Sequence, residues 1–95
     1  MNPLVAPVVR RAILDLLDDI GGEQNDEVLA LMLNQLGHRV ARRDVAHCLT
    51  FLQEAGMVKA EELGPYIVCS ILPDGRDAAA GRLKIDGISH HKTGV

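Results

Sequence analysis

Apolar residues recur every three or four positions from Leu4 to Ile20. Val9, Ile13, Leu16, Leu17 and Ile20 carry the stripe, and the spacing predicts a helix over 4–20. Pro3 and Pro7 fit its first turn, where a missing N–H costs little, and Gly21-Gly22 stops it. Asn25 is placed to cap a second helix, with Asp26 and Glu27 setting negative charge on its positive end. Its apolar stripe is Val28, Leu29, Met32, Leu33 and Leu36, closed by Gly37. The short connection His38-Arg39-Val40 leads into a third helix, about 41–55. On it Val45, Cys48, Leu49 and Leu52 share one side, while Arg43, Ala46, His47, Thr50 and Glu54 share the other. Arg42 and Gln53 lie on one flank and Phe51 on the opposite one. Ala41 is a poor N-cap, but Val40 and Val45 hold the positions of a hydrophobic staple and Asp44 falls at the third helical position.

After Gly56 the period changes. Met57–Leu63 and Tyr66–Leu72 are rich in β-branched residues and predict two strands joined across Leu63-Gly64-Pro65-Tyr66. Pro73-Asp74-Gly75 reads as a turn, and Arg76–Arg82 as a short fourth helix. From Leu83 onward no period is sustained, so the chain is expected to trail over the surface, pinned by Ile85 and Ile88. The predicted fold is mainly α with a small β-hairpin. It is a winged helix-turn-helix of three helices, a two-stranded wing and a short C-terminal helix. One domain is expected over 1–88, with 89–95 a flexible tail.

Ninety-five residues leave room for one small core, and 47% apolar residues are a globular value rather than that of a disordered chain. No run approaches the roughly 18 apolar residues of a spanning helix, and Arg10-Arg11 interrupt any signal-like stretch, so neither membrane nor export is expected. Cys48 and Cys69 form no CxxC motif, which predicts reduced thiols in a cytoplasm-like compartment. A single Phe, a single Tyr and no Trp argue against a base-stacking surface for single strands. The net charge of −3 is unevenly spread. Residues 38–59 alone are positive, carrying Arg39, Arg42, Arg43 and Lys59 against Asp44 and Glu54. Local charge of this kind is what steers a polyanion.

The residues also carry a resemblance. Gln53-Glu54-Ala55-Gly56-Met57-Val58, entering a strand and a short wing, resembles the helix-to-wing junction of winged-helix regulators. Over nearly the whole chain the sequence is similar to the small winged-helix proteins of Mu-like transposable phages and prophages. The likeness rests on Asn25, Leu36-Gly37-His38, Arg43-Asp44-Val45, Leu49, Leu52, Glu54-Ala55-Gly56, Gly75-Arg76-Asp77-Ala78-Ala79-Ala80-Gly81 and Gly87-Ile88. It implies an ArsR-like or MarR-like winged-helix fold of phage origin, working in the host cytoplasm.

Two functions follow from these patterns. In the first, the third helix enters the major groove of double-stranded DNA. Arg42 and Arg43 lead as the natural partners of guanine, His47 and Thr50 follow, and Arg39 and Lys59 hold phosphates. Such a protein is a transcriptional regulator or a DNA-associated accessory factor, and is expected to double its few cations as a homodimer through helix 4–20 and segment 76–88. In the second, the same fold binds a phage protein during assembly or packaging. The wing favours this, having no cation at its tip and Glu61-Glu62 beside it. No nucleophile–base set, glycine-rich phosphate loop or clustered metal ligands appear, so neither catalysis nor a cofactor or metal is expected; His90-His91 is the sole weak candidate for a metal.

Overall fold

The computed structural model describes residues 1–90. Seven elements follow one another: α1 (Ala6–Ile20), β1 (Glu23–Asn25), α2 (Asp26–Gln35), α3 (Arg42–Glu54), β2 (Val58–Leu63), β3 (Tyr66–Ile71) and α4 (Pro73–Ala79). The strands make one antiparallel sheet in the order β1-β3-β2, so the architecture is mixed α and β, with four helices and a three-stranded sheet. The predicted hairpin therefore has a third member. Glu23, Gln24 and Asn25 pair with Ser70, Cys69 and Val68. Three polar residues without alternation give no strand signal, and only pairing with β3 makes them one.

Local chemistry explains the boundaries. α1 starts two residues later than its apolar stripe, because Asn2 folds the preceding residues into a turn: its side-chain oxygen accepts the Leu4 N–H at 2.8 Å and its carbonyl accepts the Val5 N–H at 2.9 Å. Leu4, left outside, is 86% exposed. Asn25 caps α2 as expected, its Oδ1 accepting the Val28 N–H at 2.9 Å. Asn34 closes the other end, donating from Nδ2 to the carbonyls of Ala30 and Val40 at 2.7 and 2.8 Å, and so shapes the link into α3. Leu36, expected in the buried stripe, lies beyond the helix and is exposed. At α3 the missing cap is replaced by Asp44, whose Oδ2 accepts the Ala41 N–H at 2.9 Å. Val40 and Val45 are both buried, as a staple requires.

The hairpin turns on Gly64, whose φ of 61° suits the tight two-residue loop between paired Leu63 and Tyr66. α4 spans 73–79, not 76–82. Pro73 takes the first helical turn, where its fixed φ is pre-set, and what reads as a turn motif opens the helix instead. Gly75 faces the sheet so closely that a Cβ there would strike the Met57 carbonyl and come within 2.7 Å of Ile71 Cγ1.

The core draws Val9, Ile13, Leu14 and Leu17 from α1, Leu29 and Leu33 from α2, Val45, Leu49 and Leu52 from α3, and Met57, Val58 and Cys69 from the sheet. The segment after α4 joins it. Ile88 is 6% exposed, and Leu83 and Ile85 pack against the same cluster. Arg10 and Arg11 hold this segment down. Arg10 lies 3.7 Å over the Phe51 ring and donates from Nη1 to the Gly87 carbonyl at 2.9 Å. Gly87, at φ 87°, sits so near Phe51 that a Cβ would come within 2.7 Å of its Cζ. Arg11 is 5% exposed. It pairs with Asp15 at 3.0 Å and donates to the carbonyls of Ala79, Ser89 and His90. Of the expected tail 89–95, Ser89 and His90 are thus in contact with α1; His91 and the rest lie outside the described residues. The expected homodimer surface on α1 is partly covered by this same segment, Ser89 N–H donating to the Pro7 carbonyl at 3.1 Å.

Arg11→Met keeps the aliphatic stem but leaves Asp15 buried without a cation and three carbonyls without a donor. It is expected to cost roughly 3–5 kcal/mol, read as a lowered urea midpoint with amide exchange rising first at Ile88–His90. Cys48 and Cys69 are buried and unpaired. Burial pushes both thiols up, that of Cys69 to about 12. Both should therefore react slowly with a disulfide reagent at about pH 8 in the folded protein and rapidly in urea.

Candidate functional site

α3 turns Val45, Cys48, Leu49 and Leu52 inward, which leaves Arg43, His47 and Thr50 exposed at i, i+4 and i+7 on the opposite side. Two grooves run between this face and the hairpin. One, of about 440 Å³, opens at the start of α3 between Arg43 and Ala46 on one wall and Glu62, Gly64, Pro65 and Tyr66 on the other. The second, of about 110 Å³, continues along Thr50 and Gln53 against Ala60 and Glu62.

The six candidate residues do not form one surface. Arg39, exposed in the α2–α3 link, and exposed Arg43 carry uncommitted guanidinium groups among the described residues. His47 lies beside them on the same helix face. Thr50 is exposed, but its hydroxyl donates to the Ala46 carbonyl at 3.2 Å. Lys59 is elsewhere. Side chains alternate along a strand, and β2 turns Ala60 and Glu62 toward α3. Lys59 therefore points to the far side of the sheet, in a cleft with Glu23, Glu61, Val68 and Ser70.

Arg42 is drawn away from the exposed face. Its Nε donates to Asp26 Oδ2 at 2.8 Å and its Nη2 to Asp26 Oδ1 at 3.3 Å and to the Pro65 carbonyl. The guanidinium also lies 5.1 Å over the Tyr66 ring, and Glu27 is 3.9 Å from Nη1. The sequence pattern missed the partner, Asp26, which is 4% exposed and also accepts the Ile67 N–H at 2.9 Å. Burial raises the Asp26 carboxyl, but the Arg42 hydrogen bond, the Ile67 amide and the Arg42 charge together outweigh it and hold the group below the ordinary value of 3.8. Its acidity in the first helical turn was legible only as a helix-dipole partner.

Gln53, on the flank of α3, is also spoken for. Its Oε1 accepts the outward Ala60 N–H at 2.6 Å and blunts the free edge of β2. Beyond α3, the hairpin offers acid and apolar surface: Glu61 and Glu62 are exposed, as are Leu63, Pro65 and Tyr66. Among the described residues no group of three or more His, Cys, Asp or Glu is placed to hold a metal, and no helix is long and apolar enough to cross a membrane.

The chain is a small α+β protein of a phage family. It is 31% identical over 88 residues to the uncharacterized protein gp26 of Escherichia phage Mu, an alignment spanning 93% of this chain and 92% of that one, and it belongs to that protein's family. No family model matches the sequence, and no solved structure matches it.

Because the folded Asp26 carboxyl titrates below its unfolded value, its contribution to stability is complete above that unfolded value and is lost as pH falls through the folded one. Asp26→Asn should therefore lower stability at pH 7, by about 1.5–3 kcal/mol for the lost charged hydrogen bonds, and converge on the wild type in acid. Urea midpoints from about pH 2 to pH 7 measure it; a constant gap across that range would exclude Asp26 as the titrating group.

Proposed function

We propose that the protein is a winged-helix module that contacts double-stranded DNA through the exposed face of α3. The observation that carries this reading is the stripe Arg43, His47 and Thr50, unobstructed on the outer side of α3, with Arg39 just ahead of it. The element order supports the winged-helix assignment. A strand between α1 and α2 pairs with the second strand of a hairpin that directly follows α3, the order in which a winged helix sets its wing beside its reading helix. In this reading Arg43 near the helix start meets a guanine edge, His47 and Thr50 meet the next base pairs, and Arg39 holds a phosphate. With two cations per chain free of hydrogen bonds on this side, useful affinity requires a homodimer on two half-sites, for which the exposed Leu4 and Val5 ahead of α1 offer apolar surface. A regulator or DNA-associated accessory factor in a phage-infected cytoplasm fits these features.

A second reading is a protein-binding module for phage assembly or packaging. The acidic and apolar hairpin favours it, since Glu61 and Glu62 would face like charge at a phosphate backbone.

The two readings separate on Arg43→Glu, assayed by fluorescence anisotropy on random-sequence duplex at low salt with light scattering alongside. The DNA reading expects wild-type binding in the micromolar range that weakens steeply with salt, and at least a tenfold loss in the variant. Equal binding by wild type and variant removes α3 from the interface. An absence of wild-type binding at low salt transfers the conclusion to the protein-binding module.

A further inference from the structure

One ion pair stands where α2, α3 and the hairpin turn meet, and it gives a role to the arginine that does not point at the exposed face. Asp26 opens α2, Arg42 opens α3, and the Pro65 carbonyl lies in the hairpin turn. A single carboxylate accepts from Arg42 and from the Ile67 amide of β3, while the same guanidinium reaches the turn and covers Tyr66. Three elements that share little else at this end are thereby held at one point. The turn residues Leu63, Gly64, Pro65 and Tyr66 are all exposed, and the Arg42 guanidinium ties them to the start of α3. Asp26 and Arg42 both line the 440 Å³ groove between Arg43 and the turn.

We infer that Asp26 and Arg42 form a latch that sets the position of the wing against the reading stripe of α3, and that Arg42 is a positioning residue rather than a DNA contact. This rests on the DNA reading proposed above. For Arg42 to reach a base or phosphate it would have to abandon a carboxylate that is 4% exposed, and an uncompensated buried charge opposes that exchange. Its planar fork is already used on two sides, by Asp26 and by Pro65.

The latch and the direct-contact view differ in sign at Asp26. Removing a negative charge beside DNA should tighten binding by electrostatics alone. If the latch positions the wing, removing it should loosen binding. The test measures random-sequence duplex binding by the full chain at about 50 and about 150 mM salt for the wild type, Asp26→Ala, the milder Asp26→Asn, Arg42→Gln and the double variant Asp26→Ala/Arg42→Gln. The latch expects roughly three- to tenfold weaker binding in each single variant, no further loss in the double, and an unchanged salt slope. Amide exchange at Ile67 and Tyr66 should accelerate in Asp26→Ala and Arg42→Gln and stay unchanged in Arg43→Gln, which also shows that the variants are folded. Equal or tighter binding by both Asp26 variants, with a salt slope lowered by about one in Arg42→Gln, would make Arg42 a phosphate contact and overturn the latch. If the wild type binds no duplex, the DNA reading fails. The latch then stands or falls on the exchange at Ile67, and exchange equal to the wild type in Asp26→Ala overturns it.

Discussion

The Asp26 carboxylate is the fixed point of this molecule. It sits at a helix start, where the α2 N-terminus favours negative charge, yet it is almost closed to water and must find donors from the chain. It takes one from the central strand and two from the start of the next helix. Those bonds fix two separations, α2 to α3 and α2 to the sheet, and the same Arg42 adds a third by donating to the Pro65 carbonyl of the hairpin turn. Everything on the exposed side of α3 is framed by them. A carboxylate with fewer partners would be driven toward its neutral form, and the frame would loosen with it.

The fate of the cations follows from the same economy. Arg10, Arg11, Arg42, Arg76 and Arg82 are engaged inside the fold, by an aromatic ring, backbone carbonyls or carboxylates. Arg39, Arg43, Lys59 and Lys84 are the described Lys and Arg residues with no such partner. The basic middle of the sequence is therefore less basic as a surface than as a string, because one of its four cations is neutralised internally and another points behind the sheet. What faces outward from α3 is a narrow positive strip beside an acidic hairpin, which makes charge geometry rather than net charge the relevant quantity.

Much of the fold could be read from periodicity. The three main helices and both hairpin strands follow the apolar spacing, and Asn25 caps where its residue type says it should. What escaped depends on partners far along the chain. β1 is a strand by virtue of Ser70, Cys69 and Val68, and Arg42 is removed from the exposed face by Asp26, 16 residues earlier. Pro73-Asp74-Gly75 is ambiguous in itself, since the same residues suit a turn and a helix start. Lys59 was within reach. Strand alternation puts it opposite Ala60, and Ala60 is the small residue that allows α3 to approach. Of the candidate site, Arg43, His47 and Thr50 lie where the helix phase sets them and Arg39 in the link ahead of it, whereas the state of Arg42 is tertiary information.

The two adjacent arginines of α1 tie the beginning of the chain to its far end. Arg11 meets Ser89 and His90 across 78 and 79 positions. During synthesis α1 leaves the ribosome long before residues 87–90 exist, and at about 5–20 residues per second the interval is several seconds. Throughout it, an amphipathic helix waits with a buried-type guanidinium and carboxylate still wet and with the floor of its core unsealed. Closure waits for residues 87–90, so α1 makes its last contacts only after every other element of the fold has been synthesised. Long-range contacts are slow to form because loop closure precedes their reward, so folding is expected to keep pace with them rather than with the first helix.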